Sequence, residues 1–204
     1  MEDDLGFTPP FTLGHENAGW VAALGQGVTG FKDGDPAAVY GPWGCGRCHV
    51  CRLSMENYCE NWAQVEGLGG GLGRDGGMAE YMLVPSARLL VPLGHLSPAK
   101  AAPLSDAALT PYHAINRALP HLNAESTVVV LGVGGFHHGS TPYGTSMSIP
   151  YWGSRVELME VIAMARDGRI HAETTEFPLN QAVDVYDKLK AGHITGRAVL
   201  VPSA

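Results

Sequence analysis

No apolar run in this 204-residue chain approaches the length that crosses a bilayer. The opening residues, MEDDLGFTPPF, are acidic where a secretory leader is basic and then apolar. Both absences lead to the expectation of a soluble, cytoplasmic protein with no membrane partner. Basic residues are few and scattered: 13 Lys and Arg against 20 Asp and Glu leave a net charge of −7. That balance argues against a nucleic-acid partner, because such binding neutralises phosphates with clustered Lys and Arg. Low-complexity tracts and internal repeats are also missing. With 45% apolar and 16% charged residues, the chain reads as globular, with room for one large domain or two small ones.

Cysteine is absent everywhere except in CGRCHVCRLSMENYC, where Cys45, Cys48, Cys51 and Cys59 form a C-x2-C-x2-C-x7-C array. The two short gaps make tight turns that converge three sulfurs, and the longer gap lets the chain return with the fourth, as a tetrahedral Zn(II) site requires. Disulfides would need an oxidising compartment. An iron-sulfur cluster also takes four thiolates, but the bacterial ferredoxin run has a three-residue last gap followed by Pro, whereas here the gap is seven and Glu60 follows. The spacing favours a closed structural zinc, which holds a loop and has no open position for chemistry.

Around this array, short runs with strand character (Ala18 to Leu24, Ala37 to Tyr40, Met78 to Val84) alternate with glycine-rich turns, the pattern of a small antiparallel barrel or sandwich. From Ser97 the pattern turns helical, in two or three pieces broken by Pro103 and Pro111. A strand is expected at Thr127 to Val133. A helix should follow from the capping box Ser154/Glu157 to Gly168, and another should run to Gly192 with Val183, Tyr186 and Leu189 on one stripe. RAVLV, from Arg197, reads as a last strand.

TLGHENAGWVAALGQGVTGFKDGDPAAV, the four-cysteine lobe, GGMAEYMLV, SDAALTPYHA, VVVLGVGG and GRAVLV occur in an order that resembles the zinc-dependent medium-chain alcohol dehydrogenases, in particular their bacterial secondary-alcohol branch. The resemblance implies a mixed α/β (α+β) fold. It comprises a partial GroES-like β-barrel with the zinc lobe at 41–62, within a catalytic-type domain at 1–126. A strand-and-helix remnant of a Rossmann domain follows at 127–150, and 151–204 return to the catalytic domain. It further implies hydride transfer from a small alcohol to NAD or NADP, giving an aldehyde or ketone, and a possible homo-oligomer. His15 and Asp106 match catalytic-zinc ligands, and Glu16 matches the acid beside the metal. Thr110, Gly132, Gly134 and Arg197 match cofactor contacts, while Trp43 and PYWG (150–153) would face the substrate.

Two departures from the family pattern stand out. No cysteine precedes His15, so the C-H-S-like motif that supplies another zinc ligand and a proton-relay hydroxyl is missing. A dinucleotide fold also needs about 120 residues for its two βαβαβ halves, whereas 24 lie between Thr127 and Pro150, and His137 stands where G-x-G-x-x-G needs its third glycine. No acidic residue occurs from Phe136 to Val156 to bind a ribose. Loss of most of the Rossmann domain is therefore expected, with impaired catalysis. The alternative is a non-catalytic, zinc-stapled structural or binding remnant.

Overall fold

The computed structural model describes residues 7–128 and 149–202. The expected strand at Thr127 to Val133, Gly132, Gly134 and the His137–His138 pair fall wholly or almost wholly outside that range.

The largest sheet is three-stranded and antiparallel. Its centre is β2 (Pro36–Val39), with β1 (Asn17–Trp20) on one side and β5 (Leu90–Pro92) on the other. Asn17 lies opposite Val39 and Trp20 opposite Pro36; on the other edge Ala37 pairs with Pro92 and Val39 with Leu90. Among the described residues this sheet does not close into a barrel. Two-residue strands β3 (Gly69–Gly70) and β4 (Gly73–Arg74) pair beside it, where glycines let backbones approach closely.

The segment from Ser97 behaves as its prolines dictate. Helix α2 (Pro98–Ala101) has Pro at its first position, a 3-10 turn follows at Ala102–Ser105, and α3 runs from Leu109 to Ala118. The lobe contributes the single turn α1 (His49–Arg52). Helix α4 (Arg155–Arg166) begins with the expected capping box, in which Ser154 accepts from the Glu157 amide and the Glu157 side chain accepts from the Ser154 amide. Gly168 (φ +71°) takes the left-handed turn after it. Leu158, Val161 and Ile162 of α4 pack with Leu109, Tyr40, Leu89, Val91 and Leu93 into one core. Full burial of each such side chain is worth about 1.5–3 kcal/mol.

Three expectations are corrected. Met78 to Val84 is not a strand: the Gly76, Gly77 and Met78 amides bond to the carbonyls of Thr12, Gly14 and Leu13, but no ladder continues, and Tyr81 and Leu83 lie 78% and 85% exposed. Period-two alternation makes a strand only where a partner edge exists. The strand expected to run to Leu24 stops at Trp20. Helix α5 (Ala182–Lys190) is present, but it turns Val185 inward and leaves the Val183, Tyr186 and Leu189 stripe exposed. It links two strands the sequence reading only half identified, β6 (Thr174–Pro178) and β7 (Arg197–Val201), which pair in parallel from Thr174–Arg197 to Pro178–Val201. Among the described residues no helix is long and apolar enough to cross a membrane.

Candidate functional site

The lobe is built by turns that only glycine tolerates well. Gly44 (φ +52°) has no room for a Cβ, which would lie 2.9 Å from the Cys51 Sγ. The turn α1 carries Cys51 and has Cys48 as its N-cap, and the 3-10 turn Glu56–Tyr58 returns the chain to Cys59. All four sulfurs lie within 4.8 Å of one another, and those of Cys45 and Cys51 are 4.0 Å apart. Zn–S bonds near 2.3 Å put tetrahedral sulfurs about 3.8 Å apart, so the cage fits one metal ion and is too wide for a disulfide. All four cysteines are free.

Amides point at the sulfurs as they would at thiolates. Cys48 N donates to Cys45 Sγ (3.3 Å), Cys45 N to Cys59 Sγ (3.3 Å), and Asn61 serves both Cys45 (Nδ2, 3.3 Å) and Cys59 (N, 3.4 Å). The Asn61 side chain is the main cause that lowers the Cys45 thiol to about 5, while burial pushes those of Cys51 and Cys59 up. Thiolates bound to a divalent cation resolve that conflict, since the metal supplies the missing positive charge.

The second cluster gathers residues 91 and 181 positions apart in sequence. His15 and Glu16 lead into β1, Asp106 follows the 3-10 turn, Thr110 sits in the first turn of α3, and Arg197 opens β7. His15 Nε2 lies 3.3 Å from Asp106 Oδ2, and the Thr110 hydroxyl donates to Asp106 Oδ1. The Asp106 hydrogen bond raises the pKa of His15 against the effect of burial. Burial would raise that of Asp106, but the bonds from His15 and Thr110 together hold it below the ordinary value. Glu16 faces elsewhere: Oε1 accepts from the Ala107 amide at 3.0 Å, and Oε2 from Arg197.

A tetrahedral zinc with N and O ligands near 2.0–2.1 Å sets those two atoms about 3.3 Å apart. The His15–Asp106 separation fits two such corners, and among the described residues no third donor joins them. The fit is thus complete at the thiolate cage and partial here.

Of the aromatic residues tied to the substrate side, Trp152 lies against His15, with ring centroids 5.6 Å apart at 74°. Trp43 is 6% exposed and packs in the core, its ring 5.9 Å from the Arg74 guanidinium.

Sequence reasoning missed two buried polar clusters that fasten the lobe to the helices. Glu56, fully buried, accepts from Arg88 Nη1 (2.7 Å) and Arg155 Nε (3.3 Å). Buried His113 binds the Glu157 carboxylate through Nδ1 (2.8 Å), and its Nε2 meets the Tyr58 hydroxyl at 2.8 Å. Glu157 was visible as a helix cap, but nothing in the local pattern marks His113 as its partner.

Residues 2–95 match the alcohol dehydrogenase GroES-like domain family. The chain is 44% identical over 137 residues to the D-arabinose 1-dehydrogenase (NADP(+)) of Saccharolobus solfataricus, a match covering 66% of this chain and 38% of that protein. It is 41% identical over 134 residues to an NAD-dependent alcohol dehydrogenase of Sulfurisphaera tokodaii, covering 65% and 36%. The matched segments thus cover well under half the length of these relatives. The crystal structure of the alcohol dehydrogenase from Aeropyrum pernix superposes with a TM-score of 0.80 at 25% identity, covering 98% of this chain and 86% of that one. Residues 2–95 thus belong to the alcohol dehydrogenase GroES-like domain family, and the fold and cysteine cage of the chain are similar to those of the zinc-type medium-chain alcohol dehydrogenases.

Proposed function

We propose that this chain is an NAD(P)-dependent zinc alcohol dehydrogenase by descent, with one firmly held structural zinc and an impaired catalytic site. The observation that carries this is the convergence of His15, Asp106 and Thr110 on one spot, with the Glu16–Arg197 pair, which brings in a third segment of the chain, beside them. Zinc bound there would supply a Lewis acid that lowers the pKa of an alcohol hydroxyl and favours hydride loss to nicotinamide. The chain's own residues would do the rest. His15 and Asp106 hold the metal, and Thr110 fixes the Asp106 carboxylate by occupying its other oxygen. Arg197 holds Glu16 away from the donors and, by its resemblance to the family's arginine at this position, would be a cofactor contact.

The substrates fitting this chemistry are small alcohols, with the matching aldehydes or ketones in reverse. We assign 1–126 to the catalytic-type domain, 127–150 to a Rossmann remnant and 151–204 to the returning segment. The second reading, a zinc-stapled module without turnover, is favoured by one observation: Glu16 is bound to Ala107 and Arg197, so only two donors converge.

Elemental analysis and absorbance at the reduced-nicotinamide band separate the two readings. Two zincs per chain with slow, measurable oxidation of a secondary alcohol are expected of an impaired enzyme. One zinc and no absorbance change would establish the stapled module instead.

A further inference from the structure

Trp152 stands out as a tryptophan with φ +55°, a left-handed backbone that a bulky side chain takes up only when its surroundings enforce it. The carbonyls of both neighbouring residues are held. The Tyr151 carbonyl accepts from Asn57 Nδ2 (3.0 Å), and the Gly153 carbonyl from the Tyr40 hydroxyl (2.5 Å). With the backbone pinned on either side, the indole is driven inward until it is 8% exposed.

There it does three things. It fills the space over Gly41, where a Cβ would lie 2.1 Å from the ring. It meets the His15 ring edge to face at 5.6 Å. Its Nε1–H donates to the Ser105 carbonyl at 2.8 Å, one residue before Asp106. One side chain thus touches the ring of one donor and the backbone leading into the other. His15, whose side chain is 40% exposed, has no other aromatic support among the described residues.

We infer that Trp152 is the positioning residue of the His15–Asp106 pair, holding the imidazole plane and the Ser105–Asp106 backbone so that the two donors stay at metal-binding separation. The inference rests on the reading of that pair as metal donors. It assigns the backbone strain at residue 152 a purpose: a relaxed residue there would leave Gly41 facing a void and His15 free to turn.

Zinc binding to the full chain, with the thiolate cage already loaded, tests this by equilibrium dialysis. Trp152→Leu keeps apolar bulk but loses both the aromatic edge and the Nε1 donor, whereas Trp152→Phe keeps the edge. Groups that orient metal ligands typically change affinity 10–100-fold. A roughly tenfold weaker second zinc in Trp152→Leu is therefore expected, with Trp152→Phe recovering part of the loss. Retention of the cage zinc in each variant reports that the fold is intact. A second zinc bound equally well by Trp152→Leu and the parent overturns the positioning role alone. A parent chain that holds only the cage zinc overturns the metal reading of the pair and this inference with it.

Discussion

Glu56 brings a carboxylate to zero exposure between two arginines, and its Oε2 has no hydrogen-bond partner among the described residues. Removing one partner of a buried ion pair is costlier than never having built it, because the remaining charge stays behind without compensation. Arg88 also donates to the Trp43 carbonyl and Arg155 to the Ser54 hydroxyl, so neither guanidinium is free to swing out. Glu56→Ala is expected to lose about 3–5 kcal/mol in urea unfolding. Glu56→Gln, which keeps an acceptor for Arg88, should lose clearly less. Equal losses in both would mean that packing, and not the ion pair, sets the value of the position.

Helix α4 shows how a local signal acquires a long-range role. Its start was legible because a capping box is contained within four residues, Ser154 to Glu157. That the same Glu157 carboxylate also takes bonds from His113 Nδ1 and Asn116 Nδ2, more than 40 residues upstream, was not legible, since only the fold brings α3 against α4. The cysteine cage was likewise readable from spacing, whereas the bonds of Glu16 to Ala107 and Arg197 were not, since their partners lie 91 and 181 residues away. The strands were read less well: β5 has only three residues and too little alternation to register, and Met78 to Val84 has alternation without a partner.

For Glu157, burial alone would raise the pKa, but the Ser154, His113 and Asn116 bonds outweigh it and bring the group below 4.5. A depressed folded value means that the unfolded chain binds the proton more readily, so the contribution is present above pH 4.5 and is lost as pH falls through the folded value. Stability should therefore decline on acidification below about pH 5, with a shallower slope in Glu157→Gln. Chemical unfolding at a series of pH values measures both slopes, and parallel curves would refute the assignment.

At the scale of the whole molecule, the lobe is a fastener more than an appendage. Glu56 reaches Arg88 and Arg155, Asn57 reaches the Tyr151 carbonyl, and Tyr58 reaches His113. All three residues sit on the 3-10 turn that delivers Cys59 to the cage, so the metal that closes the cage also sets that turn. A structural four-thiolate zinc contributes on the order of 10 kcal/mol to folding, comparable with the total stability of an ordinary domain. Chelation should consequently loosen more than residues 45–59. Amide exchange is expected to rise at the start of α4 and around His113 in α3 together with the lobe, at the same chelator concentration, and Cys48→Ser should reproduce that pattern without chelator. Exchange confined to the lobe, with α3 and α4 protected as before, would show that the helices and sheet hold each other without it and that the buried bridges through Glu56 and Tyr58 carry no coupling.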